Sequence, residues 1–284
     1  MGLDSVQIVL RRVVFPMLAT LAVIGLVVWV IGTLPRWWPG LLPAPTASST
    51  TAAAEATKDV SGFAKAKVLR VVDGDTLDVR LDGAETKLRL LNIDAPETAH
   101  DGDPAQCLAK AAKAKLAELA PNGATVRIEN YGHDRFGRTL VGLYSERGEL
   151  LNAQLVGAGL AAPFVVNGQV NLLRPVRAAQ AEAAAAGSGL HEPKGCTVPG
   201  RVNAAEAAVA ELPASATGPD AVAAAKAAKA VQGDLQVLAS DLTGDARYVP
   251  VDALTKDEVS ALSVRVSAAS KAVAQVLARL TAKR

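Results

Sequence analysis

Asp75, Arg89, Asp94 and Glu97 stand within one thirty-residue stretch, Val68 to Glu97, reading VLRVVDGDTLDVRLDGAETKLRLLNIDAPE. Carboxylate oxygens are the ligands that hard divalent cations prefer. A guanidinium presents a fork of donors that matches a phosphate. Two acidic clusters and one arginine on neighbouring strands could therefore hold a cation and a phosphate together. That is the front half of a metal-dependent phosphodiesterase site. Each part also has a plainer reading. Asp73-Gly74-Asp75-Thr76 could be only a hairpin turn, and Asp94-Ala95-Pro96-Glu97 only a strand exit. Arg89 shifts the balance, because an arginine between Leu88 and Leu90 on an apolar strand is costly without a partner or ligand.

A second candidate group lies at His133-Asp134-Arg135-Phe136-Gly137-Arg138. Arg138 follows a tight glycine-flanked loop and could grip a phosphate; it could also be a surface arginine paired with Asp134. The three histidines, His100, His133 and His191, have no metal-ligand spacing and read as structural or exposed.

The elements that must position these groups follow from periodicity. Period-two alternation from about Phe63 gives three short strands, with Asp73-Gly74 and Asp82-Gly83 as turns. Residues 124–130 and 138–145 supply two more. Helices are expected at 105–120, 150–161 and 171–186, the last capped by Gly187. Five strands with helices so placed predict a small closed barrel.

Outside this region the composition changes twice. Residues 13–35 contain no charged residue and are long enough to cross a bilayer, which needs about 20 apolar residues. Trp37 and Trp38 follow, as at a membrane interface, and Arg11-Arg12 precede. The expectation is an uncleaved single-pass anchor in the cell membrane, with residues 1–12 cytoplasmic and the rest outside; a cleaved signal peptide is the alternative. Residues 36–62, rich in Pro, Ala, Ser and Thr, read as a flexible linker. The domain that follows spans 63–199. Residues 200–284 form an alanine-rich helical region. A short helix covers 201–212. Val231, Leu235, Leu238 and Leu242, then Leu262, Val266, Ala269, Val273, Val276 and Leu280, trace a coiled-coil seam. Thr255 and Glu258 make a capping box. An antiparallel α-helical hairpin is expected, serving as a spacer or as a surface for a protein partner or self-association.

Lys and Arg (30) nearly balance Asp and Glu (28), for a net charge of +2. Bulk charge therefore gives no argument for nucleic-acid binding.

Four motifs in order, VVDGDT, RLLNIDAPET, DRFGR and LNAQLVGAGLA, resemble those of the staphylococcal nuclease (thermonuclease) family over about residues 64–191. The resemblance implies an OB-fold five-stranded barrel with three helices that hydrolyses DNA and RNA with Ca2+. It implies that Asp75 and Asp94 are the metal carboxylates and that Ala95 offers its carbonyl. Glu97 would activate or orient the attacking water, and Arg89 and Arg138 would bind phosphate. The family's products carry a 3′-phosphate and a 5′-hydroxyl. Departures are visible. Ala95 stands for a threonine, Phe136 for a tyrosine and His191 for a tryptophan. Residues 161–168 lack the tyrosines that stack on a base, leaving Phe164. Residues 98–103 are acidic through Asp101 and Asp103. Weak substrate binding with strong salt sensitivity is expected. The alternative is a nuclease-like barrel kept as a binding or scaffold module.

Cys107 and Cys196 could be two free thiols or a disulfide. An oxidising location outside the membrane favours the bond, as does the similar placement of a cysteine pair in exported relatives. Closing so long a loop would contribute about 4–5 kcal/mol on the chain-entropy account.

Overall fold

The computed structural model describes residues 58–99, 102, 104–244 and 248–282. The expected membrane span 13–35, the segment 1–12 and most of the linker lie outside them, as do His100, Asp101 and Asp103. Among the described residues no helix is long and apolar enough to cross a membrane. The end of the expected linker packs on the domain: Val60 is buried in its core, and Lys58 N–H donates to Gly148 O at 2.9 Å.

The strands are β1 (Ala64–Val71), β2 (Thr76–Leu81), β3 (Ala84–Leu90), β4 (Ile93–Asp94), β5 (Thr125–His133), β6 (Thr139–Tyr144) and β7 (Ala162–Pro163). Five of them close into a barrel in the order β1-β2-β3-β6-β5, as the alternation predicts, and the arrangement is consistent with an OB-fold. Its pairs are antiparallel except β3 on β6, which is parallel and sets Arg89 opposite Leu140. The alternating apolar residues fill the interior: Val68, Leu77, Val79, Leu88, Leu90, Val126, Ile128 and Leu140 are all buried. The two-residue strands β4 and β7 pair separately, Asp94 opposite Ala162.

Helices α1 (Ala109–Leu119), α2 (Leu151–Gly157) and α3 (Leu173–Ala186) correspond to the three expected, with α1 starting later and α2 ending earlier. The early end has a steric cause. Gly159, at φ 68°, passes against Ser188 and Gly189 so closely that a Cβ on it would sit 2.1 Å from Ser188 O. The glycine-rich stretch does end the helix, Leu160 N–H closing on Leu155 O at 3.0 Å past a left-handed Gly159, and it also lets two backbones cross.

The C-terminal region contains α4 (Val198–Ala210), α5 (Gly218–Thr243), α6 (Val249–Asp252) and α7 (Lys256–Ala282). Leu235, Leu238 and Leu242 of α5 cluster with Leu262 and Val266 of α7, while Ala224 meets Val276 and Leu280. The start of α5 thus faces the end of α7, the expected antiparallel pair. The hairpin is not alone, however. Val198, Val202 and Ala205 of α4 join the same cluster, so the module is a three-helix bundle. Arg265 fastens α7 to α4 through Glu206 at 2.6 Å, and Arg201 fastens α4 to α5 through Asp241 at 2.8 Å. The capping box forms as expected, Thr255 N–H donating to Glu258 Oε2 at 2.7 Å and Glu258 N–H to Thr255 Oγ1 at 3.3 Å.

Candidate active site

The turn between β1 and β2 delivers Asp75. Asp73 Oδ1 accepts the Asp75 N–H at 3.0 Å, and Val72 and Asp73 N–H both point at Thr76 O. An Asp-Gly turn tolerates a positive φ, but Gly74 is absent from the positive-φ residues; Asp82 and Gly83, at φ 50° and 85°, do form the other turn that way. Gly74 is required by packing instead: a Cβ there would lie 2.5 Å from Ala95 Cβ and 2.7 Å from Ala112 Cβ. That contact brings the turn against the Asp94-Ala95 segment. As a result the Ala95 N–H donates to Asp75 Oδ2 at 2.7 Å.

Two buried asparagines hold the second acidic segment. Asn92, at φ 61°, donates from Nδ2 to Phe164 O and Gln169 O and accepts the Leu172 N–H. Asn152 of α2 donates to Leu91 O and Val141 O and accepts the Leu143 N–H. Between them they tie the end of β3 to β6, α2 and the segment after β7. Both asparagines stand inside the quoted motifs RLLNIDAPET and LNAQLVGAGLA, but neither was given a role there; the αL-prone Asn before a two-residue strand was a further signal.

Arg89 sits where the sequence required a partner for it. Its side chain is buried between two carboxylates, 2.6 Å from Asp75 Oδ2 and 2.5 Å from Asp94 Oδ1, themselves nearly buried. One guanidinium cannot neutralise both. Burial pushes the Asp75 carboxyl up to about 8; Arg89 and the Ala95 N–H oppose the rise, and Asp73 and Asp94 add to it. The pair thus carries more negative charge than its surroundings accommodate, and an added cation would relieve it. The donors on offer are carboxylate and carbonyl oxygens, suited to a hard divalent ion. Among the described residues no three His, Cys, Asp or Glu side chains converge on one point as a ready-made cage. Asp75 and Asp94 are the carboxylates here that could hold such an ion, with Ala95 buried next to them.

The β5–β6 loop supplies the other arginine. Asp134 Oδ1 accepts the N–H groups of Phe136 and Arg138, both at 2.9 Å, and Gly137, at φ 78°, closes the turn. Asp134 Oδ2 takes Arg138 Nε at 2.6 Å. Both readings of Arg138 hold at once: it is paired with Asp134, and it lines the same cleft as Asp75, Arg89, Asp94 and Glu97. The cleft measures about 580 Å³. Phe136 stands at it 69% exposed, with the Arg135 and Arg138 guanidinium carbons 4.7 and 5.5 Å from its ring centre. Gln106 Oε1 accepts the Glu97 N–H at 3.2 Å and belongs to the lining that sequence motifs did not mark; Asp73, inside VVDGDT but given no role there, lines it too. The far side is Phe164, Val165, Val166 and Asn167, with Val249 of α6. Ala95 is buried beside the carboxylates. The two described histidines take no part in the lining: His191 is buried, with Nδ1 2.8 Å from Glu258 Oε1, and His133 is exposed at the end of β5. Cys107 and Cys196 are joined in a disulfide, with Cα atoms 5.6 Å apart.

The cleft thus brings together two guanidiniums, a buried pair of carboxylates and a third carboxylate. Known proteins are similar to part of the chain. A thermonuclease of Staphylococcus hyicus is 35% identical over 96 residues, covering 34% of this chain and 56% of that protein. An uncharacterized endonuclease of Escherichia coli O157:H7 is 36% identical over 96 residues, covering 34% and 58%. An endonuclease of Bacillus subtilis (strain 168) is 35% identical over 105 residues, which are 9% of its length. The chain thus spans a little over half the length of the first two and a small part of the third. Residues 87–192, which carry Arg89, Asp94, Ala95, Glu97 and Arg138 but not Asp75, match the family described as staphylococcal nuclease homologue.

Proposed function

We propose that the chain hydrolyses phosphodiester bonds in DNA and RNA, with Ca2+ as the cation. The observation that carries this reading is Arg89 held between buried Asp75 and Asp94 in a cleft that also presents Glu97 and Arg138. A guanidinium has five N–H donors, more than these contacts use, so Arg89 can bind a phosphate while keeping both carboxylates. Arg138 binds a second phosphoryl oxygen from across the cleft. Both offset the charge that grows on the phosphoryl oxygens as phosphorus becomes five-coordinate. Glu97 takes the proton of the attacking water. The water oxygen bonds to phosphorus, the bond from phosphorus to the 5′ oxygen breaks, and that oxygen leaves with a proton from solvent. The products carry a 3′-phosphate and a 5′-hydroxyl. When bound by Asp75, Asp94 and the Ala95 carbonyl, a hard divalent cation would polarise the phosphoryl oxygen and neutralise charge.

The location proposed is the outer face of the cell membrane, with residues 13–35 in the lipid bilayer. The uncharged run in the sequence supports it, and so does a disulfide, which persists in oxidising compartments.

The test is digestion of plasmid DNA and of RNA with calcium and with chelator. Glu97→Gln should lower kcat by about 10²–10⁴. No calcium-dependent loss of substrate, or equal activity in the variant, would sink the reading and leave a binding module.

A further inference from the structure

One residue of the cleft comes from the C-terminal module, outside the segment that matches known nucleases. Val249, the first residue of α6, contributes to the lining beside Phe164–Asn167. It packs in a small cluster with Ala162 of β7 and Leu190. Ala162 is the pairing partner of Asp94, so α6 rests on the strand next to a catalytic carboxylate. The segment around α6 is also fastened by polar contacts. Gln180 of α3 donates to Ala253 O at 2.8 Å and to Leu254 O at 3.2 Å. His191 Nδ1 lies 2.8 Å from Glu258 Oε1. A helical spacer needs none of these attachments.

We propose that α6 is an end wall of the substrate cleft, and that Val249 is a specificity-determining positioning residue for the nucleobase of a single-stranded substrate. The inference rests on the nuclease reading of the cleft. A base held beside the reacting phosphate needs an apolar or aromatic face, and stacking on an aromatic contributes about 1–3 kcal/mol per base. The segment 161–168 has one aromatic residue, Phe164. Val249 is itself buried, so it acts by packing behind that side and bracing it. A cleft of about 580 Å³ is within the range of pockets for small organic ligands, the scale of one or two nucleotides rather than a duplex. The helical module thereby becomes part of the nuclease.

The experiment uses the full chain and two variants. Val249→Ala withdraws the wall, and Gln180→Ala loosens α6 without touching the cleft. Substrates are a single-stranded deoxyoligonucleotide and bis(p-nitrophenyl) phosphate, a diester with no nucleobase. Oligonucleotide affinity is read separately by fluorescence anisotropy in chelator, where no cleavage is needed. Both variants should raise KM and Kd for the oligonucleotide about 3- to 30-fold, keep kcat within twofold and leave the small diester unaffected. Unchanged KM and Kd in both variants would overturn the wall, as would an equal loss on both substrates or an unvaried chain that does not bind the oligonucleotide. A chain that binds it without cleaving, with Kd weakened by the variants, overturns the nuclease reading and keeps the wall.

Discussion

Arg89 is a buried cation that owes its position to two carboxylates, and Arg138 owes its own to a third. Asp134 does most of the holding in the β5–β6 loop: it accepts two main-chain N–H groups and the Arg138 guanidinium. Burial alone would raise its carboxyl, but those donors outweigh burial and keep it below the usual carboxylate value of 3.8. A group held low in the folded state stabilises fully above its unfolded value. That contribution is lost as pH falls below about 3.8 and through the lower folded value. Asp134→Asn should therefore cost about 1–3 kcal/mol at neutral pH, the range for hydrogen bonds to a charged group. It should also flatten the fall in melting temperature below about pH 4, measured by thermal unfolding at acid pH. At this scale the sequence was informative where chemistry demanded a partner. An arginine between two leucines announces a carboxylate or a ligand. Asp73 and Gln106 announce nothing, because an Asp in a turn and a Gln before a helix have ordinary local reasons to be there.

The elements bring these residues together by close approach. Gly74 lets the β1–β2 turn touch Ala95 and Ala112, and no side chain fits between. Gly74→Ala should cost about 1–3 kcal/mol by overpacking. Urea unfolding would measure it, and Ala112→Gly in the same chain should recover part of the loss, since Ala112 Cβ is one of the two atoms in the way. If Gly74→Ala unfolds with the unvaried midpoint, the contact does not govern the turn. Alternation along β1–β3 was legible because a barrel buries one face of each strand. The seam on α5 and α7 was legible for the same reason at helical period. What stayed hidden were the pieces too short for a period. β4 and β7 have two residues each, and α6 has four. The motif Gly-Ala-Gly-Leu was assigned to a helix because crossing backbones leave no sequence pattern except the glycines themselves.

Across the whole described chain, one covalent bond complements the packing. Cys107–Cys196 closes a loop with a sequence separation of 89 and joins the approach to α1 to the approach to α4. Reduction should cost about 2–5 kcal/mol. Guanidinium unfolding with and without dithiothreitol measures this; coincident curves would show that the barrel and bundle need no such tie. Cys107 also packs against the cluster that contains Val249, so the bond lies behind the end wall of the cleft. The bundle's third helix was expected from its alanine content, but its place on the hairpin was not. Alanine-rich faces show weak apolar contrast, and only the buried Val198, Val202 and Ala205 reveal which side packs.

The parallel pairing of β3 with β6 has a consequence in time. It joins Leu88–Leu90 to Thr139–Val141, about fifty residues later in the chain, and with β1 on β5 it is one of two long-range seams at which the barrel closes. Hairpins such as β2–β3 can form locally within microseconds, whereas a pairing across so long a loop must wait for chain closure. Arg89 lies in that seam and Arg138 just precedes it. The two arginines should meet only when the seam is sealed. In refolding from denaturant, with the disulfide intact, far-ultraviolet dichroism should recover ahead of oligonucleotide cleavage, and the delay would time the final sealing of the barrel.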